Sequence, residues 1–384
     1  MLIKKNKVNK ILTLFLFTHL IVWTLVPSIS NYNLPLDTIE AIAWGNDLQL
    51  GYDKHPPLSA WFLEFFYQIF GDQDWAYYFL SQLFVVISFI IVFKFSEDFF
   101  QNQIHSLLSI LLLEGIYFYN FTTPEFNVNV CQLPFWSSSV YYFWKGIKKN
   151  DNASWILFGL FSALGVLSKY LFVYLLAAML IFLIYLKVNR KLNFKYLISL
   201  VCFFAVLAPH LIWLVDNNYT TINYAIFRSV DDPLSGFESK EFLNHILYPI
   251  IFLVKQIGIL VPFLVMFYFI VSKFKTKINY KDEKILFLIS ITLIPIILVF
   301  FTSLITGARI RTMGMTPFYL FIGVFFVYIF KARISSTKFT NFIITFSFLF
   351  IISPLAYSII SHTQTSERTD YPGRKISQLV QSQW

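Results

Sequence analysis

The sequence predicts an all-α polytopic membrane protein, and three observations lead there. Of 384 residues, 57% are hydrophobic and 20% aromatic, mean hydropathy is +0.64 and only 13% are charged, against about 25% charged in soluble domains. Apolar runs of about twenty residues recur from end to end, each long enough to cross about 30 Å of hydrocarbon. A membrane barrel would show alternating segments of about ten residues instead. Charge is also sorted. With the N-terminus inside, inner segments hold about twenty of the 30 Lys and Arg and about five of the 21 Asp and Glu. That asymmetry accounts for the net charge of +9 without a nucleic-acid partner; the partners it implies are membrane lipids.

About eleven spans follow in order, at 11–28, 75–94, 106–120, 130–145, 154–169, 171–187, 197–215, 247–272, 285–303, 315–330 and 339–360. The first follows Lys4, Lys5, Lys7 and Lys10 and lacks a small-residue cleavage site before Asn31, so it reads as an uncleaved span rather than a signal peptide. The long outer segment 29–74 contains an apolar piece from Leu58 to Phe70 that is too short to cross and reads as an interfacial helix. A second long outer segment covers 216–246; shorter ones are 121–129, 303–314 and the turn at Lys169. Inner segments at 145–152, 187–195, 273–284 and 331–338 are short and basic. None can fold as a domain, and no Walker or Gly-rich phosphate loop occurs, which excludes ATP-driven transport within this chain. No repeat of fixed period suggests a repeat-built transporter. Residues 1–360 thus form one membrane domain and 361–384 a polar tail, placed outside. Cys131 and Cys202 lie in apolar stretches, where free Cys acts as a small hydrophobe.

The polar groups that composition does not explain gather in the first outer segment. Asp37 and Glu40, ahead of an apolar stretch, have the spacing of a capping box, with Asp37 as N-cap. A carboxylate held still at a helix start and open to water can also take a proton from an acceptor hydroxyl, and the two readings coexist. Pro56 and Pro57 bar a helix through His55, so a turn presents Lys54 and His55. A cation beside carboxylates suits a phosphate leaving group, whose charge grows as its bond breaks; alternatively it neutralises the neighbouring acids.

This stretch resembles the family 39 glycosyltransferases, the GT-C fold polyprenyl-phosphate-sugar transferases that include protein mannosyltransferases and the lipid A aminoarabinose transferase. The resemblance rests on Asp37 at the start of a short helix, followed by Gly51-Tyr52-x-x-His55-Pro56-Pro57-Leu58. It continues through Phe70-Gly71 with Trp75, Gly159 to Ser168-Lys169-Tyr170, Pro209-His210-Leu211-Ile212-Trp213 with Tyr224-Ala225 and Arg228, and Gly307-Ala308-Arg309-Ile310-Arg311 with Pro317. It spans roughly residues 30–320, specific in the first loop and looser afterwards.

The resemblance implies a GT-C bundle with a periplasmic first loop carrying short interfacial helices, in a multi-pass protein of the bacterial inner membrane. It implies an inverting enzyme that moves a sugar from a polyprenyl (undecaprenyl) phosphate to an acceptor on the periplasmic face, with Asp37 as catalytic base. The family's Asp-Glu pair reads Asp37-Thr38 here, so Glu40 substitutes or the second carboxylate is dispensable. The family's acidic residue in the second outer loop matches Glu125 by its Thr-Pro motif and Asn129 by spacing to Phe135-Trp136; an Asn cannot act as a base but can bind a sugar hydroxyl. Lys54, His55, Lys169, Arg228, Arg309 and Arg311 are candidates for the donor phosphate, with Arg309 and Arg311 suited to strong, directional hydrogen bonds to it; for Lys169, Arg228, Arg309 and Arg311 the bland alternative is snorkelling at the interface. Tyr52, Asn129 and His210 are candidate substrate contacts, with packing as the alternative for a lone His. The sequence assigns no cofactor; a divalent Mg, Mn or Zn would suit Asp37, Glu40, His55 and Glu125, and no spacing selects one.

The tail is too short to dock a large protein, which favours a lipid-linked or envelope glycan acceptor such as lipid A or lipopolysaccharide over protein O-glycosylation. A lipid-linked sugar flippase or ion-coupled transporter would instead depend on Glu114, His210 and Lys255 near the bilayer centre. A polysaccharide polymerase or ligase would concentrate Arg and His in late outer loops.

Overall fold

Several helices begin where a polar side chain can accept the first orphan backbone N–H groups. Asn102, Asn127, Asp151 and Asp282 each do so, for helices that follow at Gln103, Val128, Asn152 and Glu283. Two helices end on residues in the left-handed region, Asn150 (φ 51°) and Gly307 (φ 66°), the usual way to stop a helix sharply.

The computed structural model describes residues 5–189, 194–230, 241–271, 279–330, 336–364 and 368–383. In chain order the helices are α1 (Lys5–Ser30), α2 (Leu36–Gly45), α3 (Leu58–Phe70), α4 (Asp74–Ser96), α5 (Gln103–Leu111), α6 (Val128–Lys149), α7 (Asn152–Ser168), α8 (Val173–Val188), α9 (Leu197–Asp216), α10 (Thr220–Val230), α11 (Glu241–Tyr268), α12 (Glu283–Thr292), α13 (Ile294–Thr306), α14 (Ile322–Ile329), α15 (Ser336–Thr363) and α16 (Gly373–Gln383). No strand occurs among the described residues. The protein is an all-helical membrane bundle.

Among the described residues, seven helices are long and apolar enough to cross a membrane, or eight if the bent pair Thr312–Tyr319 and Ile322–Ile329 forms one span. Three of the predicted spans are interrupted rather than built as one continuous helix. The span expected at 106–120 divides into α5 and 3-10 turns at Leu112–Gly115 and Tyr117–Tyr119. That expected at 285–303 breaks at Leu293 between α12 and α13. That at 315–330 is a 3-10 segment followed by α14, bent by 52°. Hydropathy records apolarity, and these breaks preserve it. The inner segments 187–195, 273–284 and 331–338 and the outer segment 216–246 lie partly outside the described residues.

The core is centred on α6, which packs on α4 and α7; α7 packs in turn on α9, and α1 on α4 and α15. Close approach needs small residues at particular places. A Cβ on Gly159 of α7 would lie 2.3 Å from the Ser199 carbonyl oxygen of α9, so only glycine lets these helices meet. At one end of the bundle Lys148 faces Asp98 at 3.8 Å, and Lys195 donates to the Asn150 carbonyl at 2.9 Å. The other end gathers the start of α6, the end of α7 and the helices α2 and α3.

Candidate active site

The site grows from the start of α6. Asn127 caps that helix, its Oδ1 accepting from the amides of Asn129 (2.9 Å) and Val130 (3.3 Å). Its Nδ2 faces the other way and donates to Glu125 Oε2 at 3.1 Å. Glu125 Oε1 accepts from the backbone amide of Asp37 at 3.2 Å. Thr38 adds a second tie, donating to the Phe126 carbonyl at 3.2 Å. The first turn of α2 is thereby fixed on the segment that leads into α6.

This corrects the expected capping box. The N-cap of α2 is Pro35, without a side-chain cap, and Asp37 lies inside the first turn, where the helix dipole favours a carboxylate. Glu40 does not reach back; it pairs with the Lys54 ammonium. The reason is local: Pro35 stands just before the first turn, and a proline opens a helix readily because its missing N–H would go unsatisfied there.

Asn129, in the first turn of α6, accepts from the Lys169 ammonium. Gln132 holds the Lys169 carbonyl at 2.8 Å, so α6 fixes both ends of this residue in the turn between α7 and α8. The position a Cβ would take at Gly314 is 3.7 Å from Lys169 Nζ, which brings the 311–314 segment alongside. Burial pushes the Lys169 amine down to about 8; the Asp37 carboxylate opposes that shift and the Arg311 guanidinium adds to it. Asp37, Lys169 and Arg311 therefore share one electrostatic neighbourhood. His55 borders it: burial first, then Lys169 and Lys54, lower it to about 3, so the imidazole is neutral at physiological pH. Its ring meets Trp44 edge-on at 6.0 Å.

A cavity of 470 Å³ opens over the carboxylates, lined by Asp37, Glu125, Phe121, Thr122, Tyr357 and Thr369 among others. Two acids thus face open space, and cations border the same neighbourhood. Such an arrangement can deprotonate a hydroxyl and stabilise a departing phosphate.

Residues 54–213 match the family model for dolichyl-phosphate-mannose-protein mannosyltransferase, less than half of the chain. The match contains Lys54, His55, Glu125, Asn129 and Lys169 but not Asp37 or the Arg309–Arg311 stretch. The structure aligns with the crystal structure of ArnT from Cupriavidus metallidurans in the apo state, with TM-score 0.61 and 14% identity over 93% of this chain. The chain has the GT-C glycosyltransferase fold. It spans 66% of the length of that protein, just under two thirds. No curated protein matches the sequence.

Within the GT-C fold the other expected residues are placed apart or used in packing. His210 of α9 bonds Tyr170 at 2.8 Å through Nε2 and the Leu50 carbonyl at 2.6 Å through Nδ1. Tyr52 is buried, stacks on Trp44 at 5.5 Å and donates to the Asp47 carbonyl at 2.9 Å. Both therefore hold the first loop in place. The same loop uses Gly51 for close contact, since a Cβ there would fall 2.3 Å from the Trp213 ring. The Arg309 amide donates to the Ser229 carbonyl at 3.1 Å, which sets it beside Arg228 on α10; its side chain is exposed. Of the residues a transporter would use, Glu114 lies 3.4 Å from the fully buried His19, His210 is bonded as above, and Lys255 is exposed on α11. Among the described residues no group of three His, Cys, Asp or Glu side chains converges on a metal position.

Asn127, Thr38, Tyr357 and Thr369 were not singled out from the sequence. Asn127 had a signal, an Asn immediately ahead of a long apolar run, which is an N-cap pattern. The other three had none.

Proposed function

We propose that this protein is an inverting glycosyltransferase that moves a sugar from a polyprenyl-phosphate donor to an envelope glycan, with its site on the periplasmic face of a bacterial inner membrane. The observation that carries the reading is the joining of Asp37, Glu125, Asn129 and Lys169 through the start of α6, with Arg311 beside them. Asp37 takes the proton from an acceptor hydroxyl. The freed oxygen attacks the anomeric carbon, the bond from that carbon to the phosphate oxygen breaks, and the phosphate leaves with the electron pair. Lys169 and Arg311 stabilise its charge. Glu125 is assigned a positioning role, because its two oxygens accept from the Asp37 amide and from Asn127 and so tie the start of α2 to the start of α6. A lipid-borne donor accords with a site built where helices meet the outer loops, and the GT-C match supports the reaction class.

The test is a deletion strain complemented with wild type or Asp37→Asn. Mass spectrometry of the envelope should show a glycolipid short of one sugar and accumulated polyprenyl-phosphate sugar in the deletion strain. Asp37→Asn should insert normally and lose about 10²–10⁴ in transfer rate, the scale of general-base catalysis. Unchanged glycolipids in the deletion strain would remove the proposal.

A further inference from the structure

Among α1, α4 and the 3-10 turns that follow α5 lies a set of buried polar groups that the proposed reaction does not use. His19 of α1 faces Glu114 at 3.4 Å, Nδ1 to Oε2. Asn120, Thr123, Ser81 and Gln82 are buried as well. Polar side chains are costly in an apolar interior unless they are bonded to one another, and an ionisable pair among membrane helices is a candidate for function.

The bonds lead along the chain toward the site. Asn120 directly follows the 3-10 turn Tyr117–Tyr119. It donates Nδ2 to the Glu114 carbonyl at 2.9 Å and to Glu114 Oε1 at 3.1 Å. Its Oδ1 accepts from the Phe121 amide at 2.6 Å, and its carbonyl accepts from the Thr123 hydroxyl at 2.8 Å. α4 holds Thr123 from the other side: Gln82 Nε2 donates to its hydroxyl at 3.1 Å and Ser81 donates to its carbonyl. Pro124 follows, with its φ set by the ring, and then Glu125, which accepts from the Asp37 amide. The Asn120 side chain therefore ties a carboxylate fixed inside the bundle to the backbone that carries Glu125.

We infer that Asn120, anchored on Glu114 of the His19–Glu114 pair, is a positioning residue for the transfer reaction. It sets the 121–125 segment and, through Glu125, the first turn of α2 with Asp37. His19 faces the Glu114 oxygen that Asn120 does not take, so the carboxylate is held from both sides. This rests on the transferase reading above and gives Glu114 a role other than the ion coupling a transporter would need.

The experiment uses purified full-length protein, with polyprenyl-phosphate sugar extracted from the deletion strain as donor and that strain's glycolipid fraction as acceptor. Asn120→Ala should lower kcat about tenfold, short of the hundredfold expected for a displacement of about 1 Å, with both KM values changed little. Glu114→Leu, which removes the acceptor, should lose as much, and Glu114→Gln, which keeps an oxygen for Asn120, should recover most of that loss. Asn120→Ala combined with Glu125→Ala should be no slower than Glu125→Ala alone, because both act through one joint. If Glu114→Leu does not fold, Asn120→Ala, which leaves the His19–Glu114 pair whole, decides the matter with the double variant. Unchanged kcat in Asn120→Ala, a loss carried by KM instead, or losses that multiply in the double variant would overturn the inference and leave the transferase reading intact. A wild type that does not turn over the donor would remove both.

Discussion

The backbone amide of Asp37 donates to Glu125 Oε1 at 3.2 Å across 88 residues of sequence. Glu125 also accepts from Asn127, the cap of α6, so the candidate base and the most central helix of the bundle share one carboxylate as a joint. We propose that Glu125 acts through position rather than through its own proton.

That role sets the effect of removing it. Glu125→Gln keeps one acceptor oxygen and should lower kcat by about tenfold, whereas Glu125→Ala frees the start of α2 and should cost about a hundredfold, as expected for a base displaced by about 1 Å. Donor KM should change little in both. Steady-state kinetics on the two purified variants decides it; equal losses in Gln and Ala would mean that the carboxylate itself is chemically required.

Lys169 gives the site a pH dependence. Its amine is lowered to about 8, chiefly by burial, with Asp37 opposing and Arg311 assisting. It is charged below that value and loses its charge as pH rises through it, so donor KM should rise above about pH 8. Lys169→Arg, whose guanidinium stays charged throughout, should flatten that limb. His55 is held near 3, so His55→Gln should leave the shape of the profile unchanged between about pH 5 and 8. A donor KM independent of pH from about 6.5 to 9.5 in wild type would exclude Lys169 as a phosphate ligand.

Gly159 tests the packing that supports the site. A Cβ there would meet the Ser199 backbone oxygen at 2.3 Å, and backbone cannot swing aside as a side chain can. Gly159→Ala should therefore destabilise by about 1–3 kcal/mol. Gly258→Ala on α11, where nothing lies within 4 Å, should be neutral or stabilising because alanine is the better helix former. Thermal unfolding in detergent compares them directly, and equal midpoints would contradict the α7–α9 contact.

The first loop was legible because its meaning is local. The Asp37 helix, the proline-bounded turn at His55 and the basic short loops are all patterns among near neighbours. Even there a local rule misled: Pro35 shifted the start of α2, and Glu40, read as a cap, found Lys54 instead. The choice between Glu125 and Asn129 could not be made from spacing, and the structure gives each a separate partner, Asp37 for one and Lys169 for the other. Tyr357 sits in an apolar helix and Thr369 in a polar tail, and nothing in either stretch marks them as neighbours of Asp37.

The sequence by itself determined the solvent, the helical class and the one loop rich in carboxylates, because apolar run length and charge placement act along the chain. Only the tertiary structure decided which polar groups meet. Glu125, Lys169 and Tyr357 reach the Asp37 neighbourhood through helix packing and hydrogen bonds between distant segments, and such convergence depends on how whole helices fit against one another rather than on the order of residues within any one of them.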